Sequence, residues 1–230
     1  MSEARHIYER LWQEAALALA GGRPTIDPHL PDKTRDPRRG LTLMLRPEPA
    51  VQRSIAKFVD ELAIVAPGQY FYRPEELHVT VLSIVPGSEL WRDKIGPLPT
   101  YQSLVSKVLK AHREFSIGFQ GLTASASAVM VQGFPVGDTL AQIRDDLREE
   151  LKKNHVADEL ARKYKIQTAH LTIMRFCRPD TDWQRLKSLL EANRTISFGE
   201  SRVRRMQLVL TDWYASAERV QVLAEYSLAA

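Results

Sequence analysis

The sequence predicts a protein of mixed helices and strands that is built from two similar halves. Segments with helical spacing alternate with strand-like segments along the chain, and the order of these segments repeats once. A His-x-Thr triplet occupies the equivalent strand of each half. With 230 residues, the chain is long enough to form two small lobes that share an interface.

The first half follows an N-terminal extension, which we predict to be a separate region at 1–39. Apolar residues recur at helical spacing over 4–19, and a connector rich in Pro, Gly and Arg follows. We expect the helix to pack outside the main fold and the basic residues of 33–39 to belong to a solvated linker. The first half then contains a strand at 41–47, a helix at 51–65, a short aromatic strand near Tyr70, a strand at 77–85, a helix at 101–112 and a strand at 115–122.

The second half presents the same order of elements. It contains a strand at 128–133, a helix at 138–153, a strand at 167–176, a helix at 183–192 and a strand at 204–210. From Met44 to His78 is 34 residues and from Met130 to His170 is 40, so the histidine strands lie at similar places. We interpret 40–230 as one bilobal domain with an internal repeat at 40–125 and 126–215. A closing strand at 219–226 is predicted to form a hairpin with 204–210.

Composition narrows the class of protein. Hydrophobic residues make up 44% of the chain and charged residues 26%, as in soluble globular proteins, and no apolar stretch approaches the roughly 18 residues that span a bilayer. We therefore expect a cytoplasmic protein with no membrane partner. The net charge of +4 is compatible with phosphate ligands but is too small for a DNA-coating protein. The single cysteine cannot form an internal disulfide.

The two His-x-Thr triplets carry the predicted chemistry. In a strand, residues two apart point to the same side, so His78 projects together with Thr80, and His170 together with Thr172. If a pseudo-two-fold relates the halves, both pairs face one cleft. Histidine titrates near pH 6.5 and can either take or give a proton at neutral pH, as cleavage of a phosphodiester requires. Two histidines and two hydroxyl donors need no cofactor for this reaction.

At these residues, the sequence resembles the 2H phosphoesterase superfamily, and within it the 2′-5′ RNA ligase-like and cyclic phosphodiesterase proteins. The second triplet continues Ile173-Met174-Arg175, which is similar to a pattern in that family, whereas Ser83 stands where many relatives have a bulky aromatic. The resemblance implies an α+β fold of two lobes, with antiparallel sheets flanked by helices around a central cleft. It also implies one histidine as general base, the other as general acid, and phosphate binding by Thr80 and Thr172.

Three further residues are candidates for substrate binding. Arg175 would point away from His170 in a regular strand, and a β-bulge would reverse its direction. Tyr72 and Tyr214 could stack on a base beside the cleft, although aromatic residues in and near strands more often pack in the core. The remaining histidines lack the acidic or thiol partners of a metal site, so no metal is predicted.

The sequence therefore predicts a metal-independent phosphodiesterase that acts on a 2′,3′-cyclic or 2′-5′-linked phosphodiester of a nucleotide or RNA end. A non-catalytic nucleotide or RNA-binding module and RNA 2′-5′ ligation are the alternatives. Neither the roles of the two histidines nor the product can be read from the sequence, and no obligatory protein partner is predicted.

Overall fold

The computed structural model describes residues 3–156 and 166–230, and the predicted α+β class is confirmed. The stretch 157–165 of the predicted second repeat lies outside the described residues. The helices are α1 (Glu3–Ala20), α2 (Pro49–Val65), α3 (Trp91–Lys94), α4 (Leu98–Leu109), α5 (Thr139–Lys153) and α6 (Trp183–Ala192). The strands are β1 (Arg39–Leu45), β2 (Tyr70–Phe71), β3 (Val79–Ser88), β4 (Phe115–Ser125), β5 (Ala128–Pro135), β6 (Leu171–Arg175), β7 (Ser197–Val203), β8 (Arg205–Asp212) and β9 (Gln221–Ser227).

These strands form two antiparallel sheets. The first sheet has the order β3-β1-β8-β9 and the second the order β2-β6-β5-β4-β7. β8 and β9 pair with each other, so the predicted hairpin is present. Each sheet takes strands from both predicted halves, since β4 lies in the second sheet and β8 in the first. Each sheet contains one of the two strands that follow the histidines, β3 in the first sheet and β6 in the second. The duplication at 40–125 and 126–215 stays a prediction.

The five longer helices cover the sheets because each has one buried apolar face. α2 contacts β6 and β7, α4 contacts α5 and β9, and α1 contacts β4 and α6. The expectation that the N-terminal helix packs outside the main fold is wrong: Trp12, Ala15 and Leu19 are buried in the same core as the sheet residues. Burial of such side chains stabilises the docked helix by about 1.5–3 kcal/mol for each large apolar residue.

Three elements differ from the sequence prediction. The short helix α3 was not predicted, and none of its four residues is buried. β7 was not predicted, because in its burial pattern only three of seven residues are buried and the others are exposed polar residues or Gly199. The strand predicted at 167–176 is shorter and comprises only Leu171–Arg175. Its first part instead approaches β5 closely, since a Cβ on Gly133 would lie 2.0 Å from the Ala169 carbonyl oxygen. Only glycine fits at that point.

Candidate active site

Each histidine lies directly before the strand that carries the rest of its triplet. His78 precedes β3 and His170 precedes β6, and both residues are partly exposed. Val79 and Leu171 are buried in the core, as the alternation of strand residues predicts. Both imidazoles therefore belong to residues at the N-terminal ends of β3 and β6, next to the apolar core.

A β-bulge follows each threonine. Met44 opposes Thr80 while the preceding Leu43 opposes Leu82, which leaves one extra residue in β3. In β6 the same shift occurs, because Met130 opposes Thr172 and Val129 opposes Met174. A bulge reverses the side on which later residues project.

The bulges bring one more residue of each strand to the cleft. Arg175, three residues after Thr172, therefore projects to the cleft side, which resolves the alternative left open by the sequence. Ser83 holds the same position after Thr80. Both Arg175 and Ser83 line one cavity with His78 and Thr80.

This cavity has a volume of about 170 Å³ and lies between the two sheets. Its lining comprises residues of β1, β3 and β6 and of the end of β8 with the turn that follows: Gly40, Thr42, Met44, His78, Thr80, Ser83, Gly87, Arg175, Thr211, Asp212, Trp213 and Ala215. His170 and Thr172 are not among the lining residues. The charges of His78 and Arg175 nevertheless act on His170, so the second triplet lies beside the cavity.

Burial controls the protonation of both imidazoles. It lowers the pKa of His78 to about 4, and the nearby positive charges of Arg46 and Arg175 act in the same direction. Burial also lowers the pKa of His170 to about 4, together with the charges of His78 and Arg144. Both rings are therefore neutral at pH 7 when the cleft holds no anion.

The Nδ1 atoms of the two rings have different partners. Nδ1 of His78 lies 2.7 Å from the Glu76 carbonyl oxygen, which can only accept, so Nδ1 carries the hydrogen and Nε2 presents a lone pair. Nδ1 of His170 lies 2.9 Å from Oγ1 of Thr168, a hydroxyl that can donate or accept. The Thr168 hydroxyl can therefore donate to Nδ1 of a neutral His170 ring or accept from the Nδ1–H of a charged one, whereas neutral His78 has a fixed tautomer.

Arg144 of α5 connects the two triplet segments, and no pattern in the sequence pointed to it. Its guanidinium donates to the carbonyl oxygens of Thr80 and Val81, each at 2.9 Å, and to that of Thr168 at 2.8 Å. Burial lowers the pKa of Arg144 to about 10, which leaves it charged at pH 7. These charge-assisted bonds hold the backbone before His170 against the strand of Thr80.

Tyr8 of α1 also acts on the segment before His170. Its hydroxyl donates to the Gly133 carbonyl oxygen at 3.1 Å and accepts from the backbone N–H groups of Gly133 at 3.1 Å and Ala169 at 3.2 Å. The hydroxyl thus joins two backbones beyond the end of the β5–β6 pairing. Through this hydroxyl, the N-terminal helix holds the residue directly before His170 against β5.

Tyr72 and Tyr214 pack in the interior, as the sequence favoured, and because the two side chains are only 3% and 0% exposed, neither offers a face on which a base could stack. They surround Arg175 instead. The Tyr72 hydroxyl accepts from Nε of Arg175 at 2.8 Å, and the Arg175 guanidinium lies 5.8 Å from the centre of the Tyr214 ring. This support holds the guanidinium at the cleft.

The connector between α1 and β1 packs against the same region, rather than forming the expected solvated linker. Tyr214 donates its hydroxyl to the Asp27 carboxylate at 3.1 Å, and Lys33 contacts Tyr70 and Glu76. Asp36 is buried and forms an ion pair with Arg38. The connector is therefore part of the wall beside Arg175.

Thr211 and Asp212 were not predicted as site residues. The only signal is their position, two polar residues at the end of an apolar strand.

Within 3–156 and 166–230, no group of three or more His, Cys, Asp or Glu side chains is arranged to hold a metal ion. The same part of the chain contains no helix that is both long and apolar enough to cross a membrane.

Comparison with known proteins supports the fold. A search of curated protein sequences gave no match. Among solved structures, TT0787 of Thermus thermophilus is 17% identical with a TM-score of 0.61, and the match covers 83% of this chain and 97% of that one. Escherichia coli LigT complexed with NADP+ is 12% identical with a TM-score of 0.55, covering 84% and 99%. At these identities, the similarity demonstrates the fold alone.

The family model described as the 2′-5′ RNA ligase superfamily matches residues 47–213, which include both His-x-Thr triplets and Arg175. This match covers well over half of the chain and confirms the resemblance predicted from the triplets. The chain belongs to the 2′-5′ RNA ligase superfamily of 2H phosphoesterases.

Proposed function

We propose that the protein is a metal-independent phosphodiesterase that opens a 2′,3′-cyclic or 2′-5′-linked phosphodiester of a nucleotide or RNA end. The observation that carries the proposal is the placement of two imidazoles from different sheets near the half-buried guanidinium of Arg175. The charge of Arg175 acts on both His78 and His170. A phosphodiester held by Arg175 therefore lies within the influence of both histidines.

The tautomer of His78 favours the role of general base. Its Nδ1–H is held by the Glu76 carbonyl, so Nε2 is free to accept a proton, and the same carbonyl stabilises the imidazolium that results. In hydrolysis, water attacks phosphorus and gives a proton to His78. The bond from phosphorus to the leaving oxygen breaks as that oxygen receives a proton from His170.

His170 becomes the general acid only in the complex. Its pKa is about 4 without substrate, and the negative charge of a bound phosphodiester raises the pKa of a neighbouring imidazole. The Thr168 hydroxyl then accepts from Nδ1–H of the charged ring. Thr80 and Thr172 donate to the phosphoryl oxygens, and Arg175 neutralises the charge that develops there.

The name of the family, the 2′-5′ RNA ligase superfamily, favours a second candidate, RNA 2′-5′ ligation. The same acid and base would serve the reverse direction, in which a terminal hydroxyl loses its proton and opens the cyclic phosphate. A binding module without turnover is the third possibility, and it predicts that RNA affinity survives replacement of both histidines.

Hydrolysis in EDTA tests the proposal. Wild type, His78→Ala and His170→Ala are compared on 2′,3′-cyclic nucleotides, a cyclic-phosphate-ended RNA and 2′-5′ oligonucleotides. We expect kcat to fall by about 10²–10⁴ in each variant, the usual contribution of one general acid or base. His112→Ala is the matched control, because His112 binds Asp146 at 2.8 Å and is not a cleft residue. Turnover that needs added metal, or that persists in both cleft variants, would refute the paired-histidine mechanism.

A further inference from the structure

Two residues that line the cavity each carry a buried oxygen atom whose hydrogen-bonding capacity is unused. Oδ2 of Asp212 and Oγ1 of Thr211 have no hydrogen-bond partner among the residues that the structure describes. The two residues are only 4% and 5% exposed, and both line the cavity that holds His78 and Arg175. A buried polar atom without a partner costs about 1–3 kcal/mol, so two beside one cavity require an explanation.

The rest of the Asp212 carboxylate is fixed by the turn that follows β8. Oδ1 accepts from the backbone N–H groups of Tyr214 at 3.2 Å and Ser216 at 2.9 Å. These two bonds orient the carboxylate and leave Oδ2 as its free acceptor. The charge of Asp212 also acts on Tyr72, whose hydroxyl binds Arg175, so the carboxylate lies near the cationic side of the cleft.

We propose that Asp212 and Thr211 form a subsite for an unphosphorylated sugar hydroxyl of the substrate. This inference rests on the proposed function and specifies the substrate of the same cleft. A cavity of about 170 Å³ is smaller than the ~300–1,000 Å³ of pockets that enclose drug-sized ligands, so it holds the reacting part of a nucleotide rather than the whole molecule. The donors nearest a phosphodiester are sugar hydroxyls.

The chemistry of the substrate identifies the hydroxyl. In a nucleoside 2′,3′-cyclic phosphate, both the 2′ and 3′ oxygens are esterified, and the remaining sugar hydroxyl is at the 5′ position. Oδ2 of Asp212 accepts from that 5′-hydroxyl, and the Thr211 hydroxyl completes its hydrogen bonding. A carboxylate repels a phosphate at the same place. The protein therefore selects small cyclic nucleotides with a free 5′-hydroxyl over RNA ends, whose 5′ oxygen is phosphorylated.

Asp212→Asn is the sharpest test, because the amide keeps an oxygen for the two turn N–H groups and replaces the free acceptor with a donor. The probes are adenosine 2′-phosphate, its 5′-deoxy analogue and adenosine 2′,5′-bisphosphate, whose dissociation constants are measured by calorimetry. For wild type we expect each of the two altered probes to bind at least about tenfold more weakly than adenosine 2′-phosphate. In Asp212→Asn the three constants should converge.

Two controls complete the experiment. Asp182→Asn makes the same chemical change at the N-cap of α6, and we expect it to keep the wild-type ranking of the probes. Thr211→Val removes the second oxygen at nearly constant volume and should weaken only the probe with a free 5′-hydroxyl. Equal affinities in wild type, or a ranking that Asp212→Asn leaves unchanged, would overturn the subsite.

Binding and turnover separate the two proposals. Hydrolysis in EDTA with equal affinities for the three probes would refute the subsite and keep the phosphodiesterase. The expected ranking without hydrolysis of any substrate would keep the subsite and refute the phosphodiesterase. Absence of binding by all three probes would overturn the subsite.

Discussion

Tyr8→Phe tests whether the N-terminal helix supports the segment before His170 through one hydroxyl group. The substitution keeps the ring, which is only 1% exposed, and removes the single oxygen that joins the backbones of Gly133 and Ala169. Two buried N–H groups lose their acceptor, and the Gly133 carbonyl loses a donor. Because Ala169 directly precedes His170, the loss affects the position of that histidine as well as stability.

The size of the effect follows from these contacts. A buried donor or acceptor left without a partner costs about 1–3 kcal/mol. The three groups share one oxygen and relax together, so we expect a total loss of about 2–5 kcal/mol. That is a large part of the roughly 5–15 kcal/mol by which a typical protein is stable. With a urea dependence of about 2–3 kcal/mol per molar, the midpoint of unfolding falls by about 0.7–2.5 M.

Urea unfolding followed by tryptophan fluorescence measures this shift, and kcat of the folded variant measures the position of His170. Thr123→Val is the matched control, because Oγ1 of Thr123 donates to the Tyr8 backbone carbonyl at 2.9 Å without contact to the His170 segment. Its loss should cost about 1 kcal/mol and leave kcat unchanged. If Tyr8→Phe costs no more than Thr123→Val, the hydroxyl does not bridge the two backbones and the reasoning is refuted.

Two further predictions concern the charges around the triplets. In the unfolded chain each histidine takes up a proton below about pH 6.5, whereas folded His78 and His170 do so only at about pH 4. The stability that the two neutral rings contribute is therefore complete above pH 6.5 and is lost as the pH falls toward 4. At pH 5 the loss is at most about 2 kcal/mol per ring, and urea unfolding at pH 7 and pH 5 should show a smaller loss for the double variant with Gln at both positions. Arg144→Met leaves three carbonyl oxygens without their donor, so we expect a lower kcat and a free energy of unfolding that is smaller by about 2–4 kcal/mol. Arg148→Met, one turn later in α5, is the control and should change neither quantity. Equal effects of the two arginine substitutions would contradict the role of Arg144.

The features that depend on local pattern were predictable from the sequence. Helical spacing located α1, α2, α5 and α6, and the paired triplets located both candidate histidines because strand alternation is a short-range rule. The partners of those elements were not predictable in the same way. The Tyr8 hydroxyl finds its acceptor and donors 125 and 161 residues away, and no periodicity encodes a contact at such a separation.

The bulges explain the most important difference between expectation and structure. Regular alternation places Arg175 on the side opposite His170, and one extra residue after Thr172 reverses that side. The residue types of β6 do not predict the bulge. Asp212 was missed for a related reason, since the direction of a side chain at a strand end depends on the turn that follows.

The bulges after Thr80 and Thr172 give β3 and β6 the same backbone irregularity, although the side chains that they bring to the cleft differ. The residue three positions after each threonine returns to the cleft, and it is a cation in β6, Arg175, but a small hydroxyl in β3, Ser83. Under the proposed function, the β6 side attracts the phosphodiester, while Ser83 and Asp212, whose Oδ2 has no partner among the described residues, line the same cavity. A substrate with one anionic and one hydroxyl end can satisfy both sides in a single orientation. That orientation would give His78 and His170 different positions relative to the leaving oxygen, although their triplets are alike.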